Sequence, residues 1–460
     1  MNLASLRNVY FLGIGGIGMS SIARYFRTLG IAVSGYDKTR TPLTDELQKE
    51  GIDIHFEDDI RKVNADILNG NISDTLIVYT PAVPADHSEL NHFKSHGFII
   101  RKRSAVLGIL TENSFTIAVA GTHGKTTTSS MIAHILRSAG KNCTAFLGGI
   151  SKNYNTNLLL STAQTGENYM VVEADEYDRS FLELNPTISV ITSMDADHLD
   201  IYGTEDYMIE SYRLFAQKLK PSGKLIYRTG LPLNDLKLSK SAYGSTGDAE
   251  YSASNIHIHN HRYLFDWNNS ISSIRGLTTE MPGMHNVENA IAAIAVARNL
   301  NISDEQIKDA LASYSGVRRR FDYRIKSDNI VYIDDYAHHP EELRACISSV
   351  RELYPGKIIT GIFQPHLFSR TRDFAAGFAK SLSLLDSLIL LPIYPARELP
   401  IPGVTSDIIF NAVTIKDKVL CEKDKVIDEL KKRNIEVVLT LGAGDIDQLV
   451  APIDQFLTQS

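Results

Sequence analysis

At 460 residues the chain has room for about three domains, each able to bury a core. A formal net charge of −7 argues against nonspecific nucleic-acid binding, and Arg101-Lys102-Arg103 and Arg318-Arg319-Arg320 are too short to form a polyanion track. Cys143, Cys346 and Cys421 lack C-x-x-C spacing and fit reduced thiols; no apolar run reaches the ~18 residues a membrane span needs, so the expectation is a cytoplasmic enzyme for small anionic substrates, with neither membrane nor nucleic acid as partner.

Val9–Leu12 reads as a strand, and Gly13-Ile14-Gly15-Gly16-Ile17-Gly18 follows as the turn of a G-x-G-x-x-G fingerprint. A helix to about Leu29 and a strand from Ile31 to Val33 complete the unit. Asp37, about twenty residues on, is an acid placed to hold a ribose hydroxyl. Alone, the fingerprint points to NAD. A second nucleotide loop downstream widens the reading to any dinucleotide-like molecule, including a nucleotide-sugar diphosphate. Strand-helix units run to about residue 110, ending in a helix from Ser104 to Leu110 and a polar linker from Thr111 to Ser114.

The second loop is Gly121-Thr122-His123-Gly124-Lys125-Thr126-Thr127-Thr128, after the apolar run Phe115–Ala120. Its glycines free backbone N–H groups to face an anion, Lys125 adds a point charge and Thr126 a hydroxyl for Mg²⁺. The G-x-x-x-x-G-K-[ST] pattern fails at Val119, so the strand and helix around the loop carry the assignment. Thr126 to Ala139 puts Met131, Ile132, Ile135 and Leu136 on one helical face, and Gly140 is the expected left-handed stop.

Strands are expected at Tyr169–Val172, Ile188–Ile191 and, shorter, around 255–276, with helices at Glu205–Leu219 and His285–Asn299. Glu173, with Asp175, Glu176 and Asp178 beside it, ends one strand; such a run is either a Mg²⁺ site or a solvated acidic loop. Asp195, Asp197, His198 and Asp200 follow the next strand, and His198 reads as a metal ligand alongside Glu173. His285 and Asn289 share a helical face, which either lines a base pocket or follows a cap at Asn286.

After a hinge at Gly316, strands are expected at Ile330–Ile333, Lys357–Phe363, Ser387–Leu391 and Val437–Leu441, with helices at Pro340–Leu353 and Phe374–Leu384. Arg320 and Arg370 offer positive charge for a phosphoryl group or a carboxylate. The alternation predicts an α/β protein of three consecutive domains: Rossmann-like at 1–111, a P-loop-type ATPase at 112–316, and Rossmann-like again at 317–460.

Taken together, several segments resemble the Mur ligase family: Gly13–Gly18 with Met19-Ser20, Gly121–Thr128, Glu173-Ala174-Asp175-Glu176 with Ser180-Phe181-Leu182, and Asp197-His198-Leu199-Asp200. Further segments are His285–Asn289, Arg319-Arg320-Phe321-Asp322, Asp335–Pro340 and Gln364-Pro365-His366 with Arg370-Thr371. The resemblance spans nearly the whole chain. It implies a cytoplasmic step of peptidoglycan synthesis, in which ATP and Mg²⁺ drive the joining of L-alanine to UDP-N-acetylmuramate through an acyl phosphate, by a monomer or weak homodimer.

The resemblance also implies roles. Gly13, Gly15, Gly16, Gly18, Asp37, Thr80 and Ala82 would take the UDP-sugar. Gly121, Thr122, His123, Gly124, Lys125, Thr126, Thr127, His285, Asn289 and Asp335 would take ATP, with Asn289 at the adenine and Asp335 at the ribose. Thr126 and Glu173 would hold one Mg²⁺, Glu173 and His198 a second. Arg320 would face the transferring phosphoryl, His338 would be a further catalytic group, and Tyr336, His366 and Arg370 would hold the amino acid. Ser21, the Thr80-Pro81-Ala82 segment and the triple arginine depart from the family's usual pattern. A sister ligase that attaches a preformed tripeptide, and an NAD-binding oxidoreductase or regulator, are the alternative readings.

Overall fold

The computed structural model of the chain describes residues 5–161, 167–197, 199–246, 248–396 and 398–459. They pack into two compact units, the first of Met1–Ser254, Trp267–Ile274 and Asn289–Tyr314, the second of Asn255–Asp266, Arg275–Glu288 and Ser315–Ser460. The architecture is three α/β domains in succession, each built on its own, mostly parallel sheet.

The first sheet holds β1 (Asn8–Leu12), β2 (Ala32–Tyr36), β3 (Asp53–His55), β4 (Thr75–Tyr79) and β5 (Ile99–Lys102), in the order β3-β2-β1-β4-β5, all parallel. Successive side chains of β1 serve opposite faces: Val9 and Phe11 enter one core with Met19 and Phe26, Tyr10 and Leu12 another with Leu90 and Phe93. Both faces are covered, which is why β1 and β4 read as near-continuous apolar runs. The strand order reverses between β1 and β4, so the carboxyl end there opens the crevice where such sheets take ligands.

The second sheet contains β6 (Phe115–Ala120), β7 (Cys143–Ser151), β8 (Thr156–Leu159), β9 (Tyr169–Glu173), β10 (Ile188–Ile191), β11 (Lys224–Arg228), β12 (Lys240–Gly244), β13 (Tyr251–His259), β14 (Arg262–Asn268) and β15 (Ser273–Thr279). Their order is β15-β14-β13-β12-β11-β10-β6-β9-β7-β8, with β6 parallel to both β9 and β10. The helix Lys125–Ser138 runs back along this sheet, and Thr126 to Leu136 are all buried. Sequence periodicity gives that helix one apolar face; among its buried hydroxyl residues, Ser129 and Ser130 return their hydroxyls to carbonyls one turn back, at 3.2 Å to Thr126 O and 3.0 Å to Thr127 O.

The first two sheets share one core, which runs from Met19 and Phe26 to Ala118, Phe146 and Val172. Tyr25 and Phe146 meet across it with ring centroids 5.4 Å apart. Buried Asn157, on β8, ties the helix Ile17–Thr28 to this sheet: its amide donates to Ile17 O at 2.6 Å and Ser20 Oγ at 2.9 Å, and its Oδ1 accepts from Arg24 at 2.6 Å.

The third sheet holds β16 (Asp322–Lys326), β17 (Val331–Asp335), β18 (Ile359–Phe363), β19 (Ser387–Leu390), β20 (Asp417–Leu420) and β21 (Val437–Leu441), ordered β16-β17-β21-β18-β19-β20. Only β16 is antiparallel, paired with β17. Insertion of the last strand, β21, between β17 and β18 brings the segments after all three to one edge. The helix Pro340–Leu353 falls where the sequence places it, opened by Pro340 at its first position and a reciprocal cap between His339 and Glu342.

Two segments differ from the sequence reading. The strands around 255–276 are longer, at nine, seven and seven residues, because exposed polar residues such as His257 and His259 dilute their apolar signal. The helix placed at Phe374–Leu384 spans Phe368–Leu382 instead. Its first turn is fixed from outside: Leu367 turns left-handed at φ +70°, and Glu398 accepts from Ser369 N at 2.9 Å.

Beneath β1, Glu89 is fully buried, accepting from Tyr10 Oη at 2.6 Å and Asp59 N at 3.2 Å. Burial pushes its carboxyl up to about 7 from an ordinary 4.5. An acid raised by folding adds stability below its unfolded value and loses that contribution as pH rises through the folded one. Thermal midpoints of Glu89→Gln measured from pH 4.5 to 7 should fall less with pH than the wild type's; parallel slopes would show that Glu89 does not titrate in this window.

Candidate functional site

The glycine loop after β1 is closed by its own neighbours. Asp37 Oδ2 accepts from Gly15 N at 2.7 Å and so pins the loop, while Oδ1 accepts from Thr39 N at 3.0 Å in the turn after Asp37 itself. Gly13 has φ +86°, and a Cβ there would come within 2.8 Å of the Thr80 methyl, which brings the ends of β1 and β4 together. Ala82 is exposed in the turn beyond.

The second loop rises from β6 and is folded against the segment after β10. Thr192 donates to Ala120 O at 3.1 Å and to His123 O; His123 N donates to Ser193 Oγ at 2.8 Å; Thr122 Oγ1 donates to Asp195 O at 2.7 Å. Gly121, at φ +139°, has no room for a Cβ beside Thr192, and Gly124, the residue before the helix, sits at φ +82°. A Cβ on Gly124 would lie 2.7 Å from Asn289 Oδ1, which also accepts from Thr128 Oγ1 at 3.1 Å. Asn289 therefore borders the loop. Thr126 and Thr127 are buried in the first helical turn.

Lys125 is folded back over this loop, donating to Gly121 O at 2.6 Å and Glu176 Oε1 at 2.8 Å. Burial alone would lower its pKa, but Glu176, Glu173 and Asp175 outweigh that and hold the ammonium charged. Burial also pushes the Glu176 carboxyl up. The acidic run after β9 is thus neutralised residue by residue: Glu176 by Lys125, Asp175 by Arg103 at 2.9 Å, Asp178 by Lys102 at 2.7 Å. Asp178 and Arg179 reach these positions through left-handed backbone at φ +52° and +55°.

Glu173 is held differently. One of its oxygens accepts from Gly148 N at 3.1 Å, and a Cβ on Gly148 would overlap the carboxylate. Glu173 and Thr126 supply hard oxygen donors of the kind Mg²⁺ takes when phosphates and water complete its shell. His198 lies outside the described residues. Among the described residues no cluster of three or more His, Cys, Asp or Glu is poised to enclose a metal by protein alone.

In the second unit, Arg320 sits between two left-handed residues, Arg319 at φ +60° and Phe321 at φ +45°. Asp335 holds this strained turn, accepting from Phe321 N at 2.6 Å and Ala337 N at 2.7 Å, while Tyr336 N donates to Arg319 O at 2.7 Å. Burial pushes the Asp335 carboxyl up to about 6, against Arg320 and the two amides. The Arg319 and Arg320 guanidinium groups lie 5.3 and 5.0 Å from the Tyr336 ring. Arg320 also approaches Glu342 at 3.9 Å.

His338 continues this cluster. Its Nδ1 is 3.0 Å from Tyr336 O and 3.2 Å from Glu342 Oε2, two acceptors that suit a proton on Nδ1. His366 packs edge-on to His338 at 6.1 Å and stacks on Tyr394 at 5.8 Å. Arg370 is buried in the first turn of the helix Phe368–Leu382. His285 is half-buried at the start of the helix Met284–Asn299, and Asn286 is inside that helix, its amide donating to Pro282 O at 2.7 Å.

Thr192, Ser193, Glu342 and Tyr394 belong to these clusters without having been singled out from sequence. Thr192 and Ser193 follow a strand that neighbours β6 in space, and Tyr394 reaches His366 from a later loop; only the strand order reveals either.

Residues 8–115 match the catalytic domain of the Mur ligase family, 119–297 the Mur ligase middle domain and 319–444 the Mur ligase glutamate ligase domain. The UDP-N-acetylmuramate–L-alanine ligase of Flavobacterium johnsoniae is 49% identical over 460 residues, covering 100% of both chains. The crystal structure of a UDP-N-acetylmuramate-alanine ligase from Thermotoga maritima matches with a TM-score of 0.82 at 27% identity, covering 98% of this chain and 100% of that one. A murein peptide ligase from Psychrobacter arcticus shares the fold at a TM-score of 0.71 and 21% identity, over 99% of both chains.

Because Gly148 leaves the space that the Glu173 carboxylate occupies, Gly148→Ala should displace Glu173 and weaken ATP binding about tenfold, the equivalent of ~1.4 kcal/mol. Calorimetric titration checks this; an unchanged Kd would mean that the position of Glu173 is not needed for nucleotide binding.

Proposed function

The chain belongs to the Mur ligase family, and from that membership we propose that it joins L-alanine to the lactyl carboxylate of UDP-N-acetylmuramate at the expense of ATP, a step of peptidoglycan synthesis. The observation that carries the reading is the 49% identity, end to end, with a relative named for that reaction. Identity falls to 21% with the murein peptide ligase. Among the described residues no helix is long and apolar enough to cross a membrane.

The chemistry needs no covalent enzyme intermediate. A carboxylate oxygen attacks the γ-phosphorus of ATP and ADP leaves; the amine of L-alanine then attacks the acyl carbon, phosphate leaves and the amine loses a proton. Each step gathers charge on phosphoryl or carbonyl oxygens, so catalysis is mostly positioning and charge stabilisation. The Gly121–Thr128 loop and the helix start behind it receive the phosphates, with Lys125 exchanging Glu176 for the β- and γ-oxygens. Thr126 and Glu173, with His198, would hold Mg²⁺, which neutralises phosphate charge when bound. Asn289 borders the same loop and suits the adenine end.

In the second unit, Arg320 supplies charge for the transferring phosphoryl. Asp335, whose oxygens already clasp Phe321 and Ala337, keeps lone pairs for a ribose hydroxyl. His338, protonated at Nδ1, offers Nε2 to the proton leaving the amine. Arg370 provides a forked cation for the α-carboxylate of the amino acid, with His366 and Tyr336 bordering the acceptor.

Lys125→Ala should cost on the order of 10² to 10⁴ in turnover with the fold retained, the range for losing a preorganised charge at a transferring group. Near-wild-type turnover in a folded variant would remove Lys125 from catalysis. The substrate assignment is tested by ADP release with UDP-N-acetylmuramate and separate amines. L-alanine should support it best, glycine and L-serine less, and the L-Ala-γ-D-Glu-diamino acid tripeptide hardly at all. A preference for the tripeptide would replace the L-alanine assignment. Arg370→Lys should raise KM for L-alanine sharply and leave KM for ATP nearly unchanged, since lysine keeps the charge and loses the fork.

A further inference from the structure

Arg103 opens the helix Arg103–Thr111 directly after β5, and its guanidinium lies between two loops of the first unit. Nη2 donates to Asp175 Oδ2 at 2.9 Å. The other arm faces the glycine loop: a Cβ on Gly18 would come within 2.9 Å of Nη1 and 3.4 Å of Cδ. Gly18 lies in the first turn of the helix Ile17–Thr28, which begins without a capping side chain and without an acid. Lys102 beside it pairs with Asp178 at 2.7 Å and is the more exposed of the two, at 45% against 18%.

A diphosphate needs more than this loop provides. The helix start offers N–H groups and a partial positive charge but no formal one. A planar guanidinium can grip two phosphate oxygens at once, which an ammonium cannot. Asp175 holds one edge of that guanidinium, so the other is aimed at Gly18 at little further entropic cost. The absence of a side chain at Gly18 is what lets it approach.

We propose that Arg103 is a binding residue for the diphosphate of the nucleotide sugar, and that Asp175 is the positioning residue that aims it. The proposal rests on the reading of Gly13–Gly18 as the UDP-sugar loop. The basic cluster at 101–103 then divides its work: Lys102 pairs with the acidic loop, and Arg103 does so while also serving the ligand.

Calorimetry of the full chain with UDP tests this. Arg103→Ala should raise the Kd roughly tenfold or more, the loss of a charge-assisted contact, and Arg103→Lys should recover part of it. Lys102→Ala should change the Kd less than twofold, although it removes a neighbouring ion pair to the same loop. In turnover, Arg103→Lys should raise KM for UDP-N-acetylmuramate and leave KM for ATP within twofold. A Kd for either Arg103 variant within twofold of the wild type, or an equal loss in Lys102→Ala, would overturn the proposal by reducing Arg103 to a loop-docking residue. A wild-type chain that does not bind UDP at all would instead overturn the reading of the glycine loop.

Discussion

A lysine ammonium buried beside a phosphate loop has to be paired before its ligand arrives, and much of the first unit follows from that requirement. Leaving such a charge without a partner costs several kcal/mol. Glu176 supplies the counter-charge, two loop carbonyls supply hydrogen-bond acceptors, and burial of the carboxyl is the consequence. Just beyond Glu176 the segment after β9 bends sharply. That bend uses left-handed Asp178 and Arg179, and Lys102 and Arg103 hold it from the adjoining domain. The shared core between the first two sheets and the Asn157 anchor keep those two arginine and lysine side chains in register with the loop they neutralise.

The second unit meets a different constraint with the same materials. Arg320 is presented on a turn whose flanking residues are both left-handed and neither is glycine. Conformations of that kind cost about 1–3 kcal/mol each, and they are held by Asp335, which accepts from Phe321 N, and by Tyr336 N, which donates to Arg319 O. Asp335 sits at the end of β17 beside the inserted β21, so its carboxylate is the point where sheet topology becomes local geometry. The desolvation cost of this buried acid is partly offset by Arg320 and by the Phe321 and Ala337 amides it accepts from.

Much of this was legible in sequence because it depends on local patterns. Glycine loops after apolar runs, Lys125-Thr126 at a helix start and Pro340 after His339 are signals read over a few residues, and the structure has the corresponding strands and helices within a residue or two. The acidic run was legible as a problem in charge but not in its solution. Lys102 and Arg103 lie about seventy residues before their partners, and nothing in the spacing pairs them. The start of the helix Phe368–Leu382 was missed for a related reason: its cap, Glu398, comes from 29 residues downstream. Asp37 and Asp335 show the opposite case. Asp37 is expected from its spacing, and Asp335 from the resemblance, to face a ribose; in the fold both satisfy backbone amides, a role that no side-chain pattern announces.

A common logic connects the cations of both units. Lys125 rests on Glu176, Arg103 on Asp175, and Arg320 near Glu342. Each carboxylate resembles, in charge and in its paired oxygens, the phosphoryl or diphosphate group that the family's reaction brings. On the proposed roles, binding at Lys125 and Arg320 is then an exchange of one anion for another, while Arg103 keeps Asp175 and adds the ligand, so the desolvation cost of each cation is met during folding. Because a doubly charged phosphate attracts a cation more strongly than a carboxylate does at equal distance, the exchange favours the ligand. The carboxylates also penalise an uncharged competitor, which would have to break an ion pair without forming one in return. On the proposed roles, selectivity for phosphorylated substrates is written into the ligand-free chain, in the acids that hold its cations.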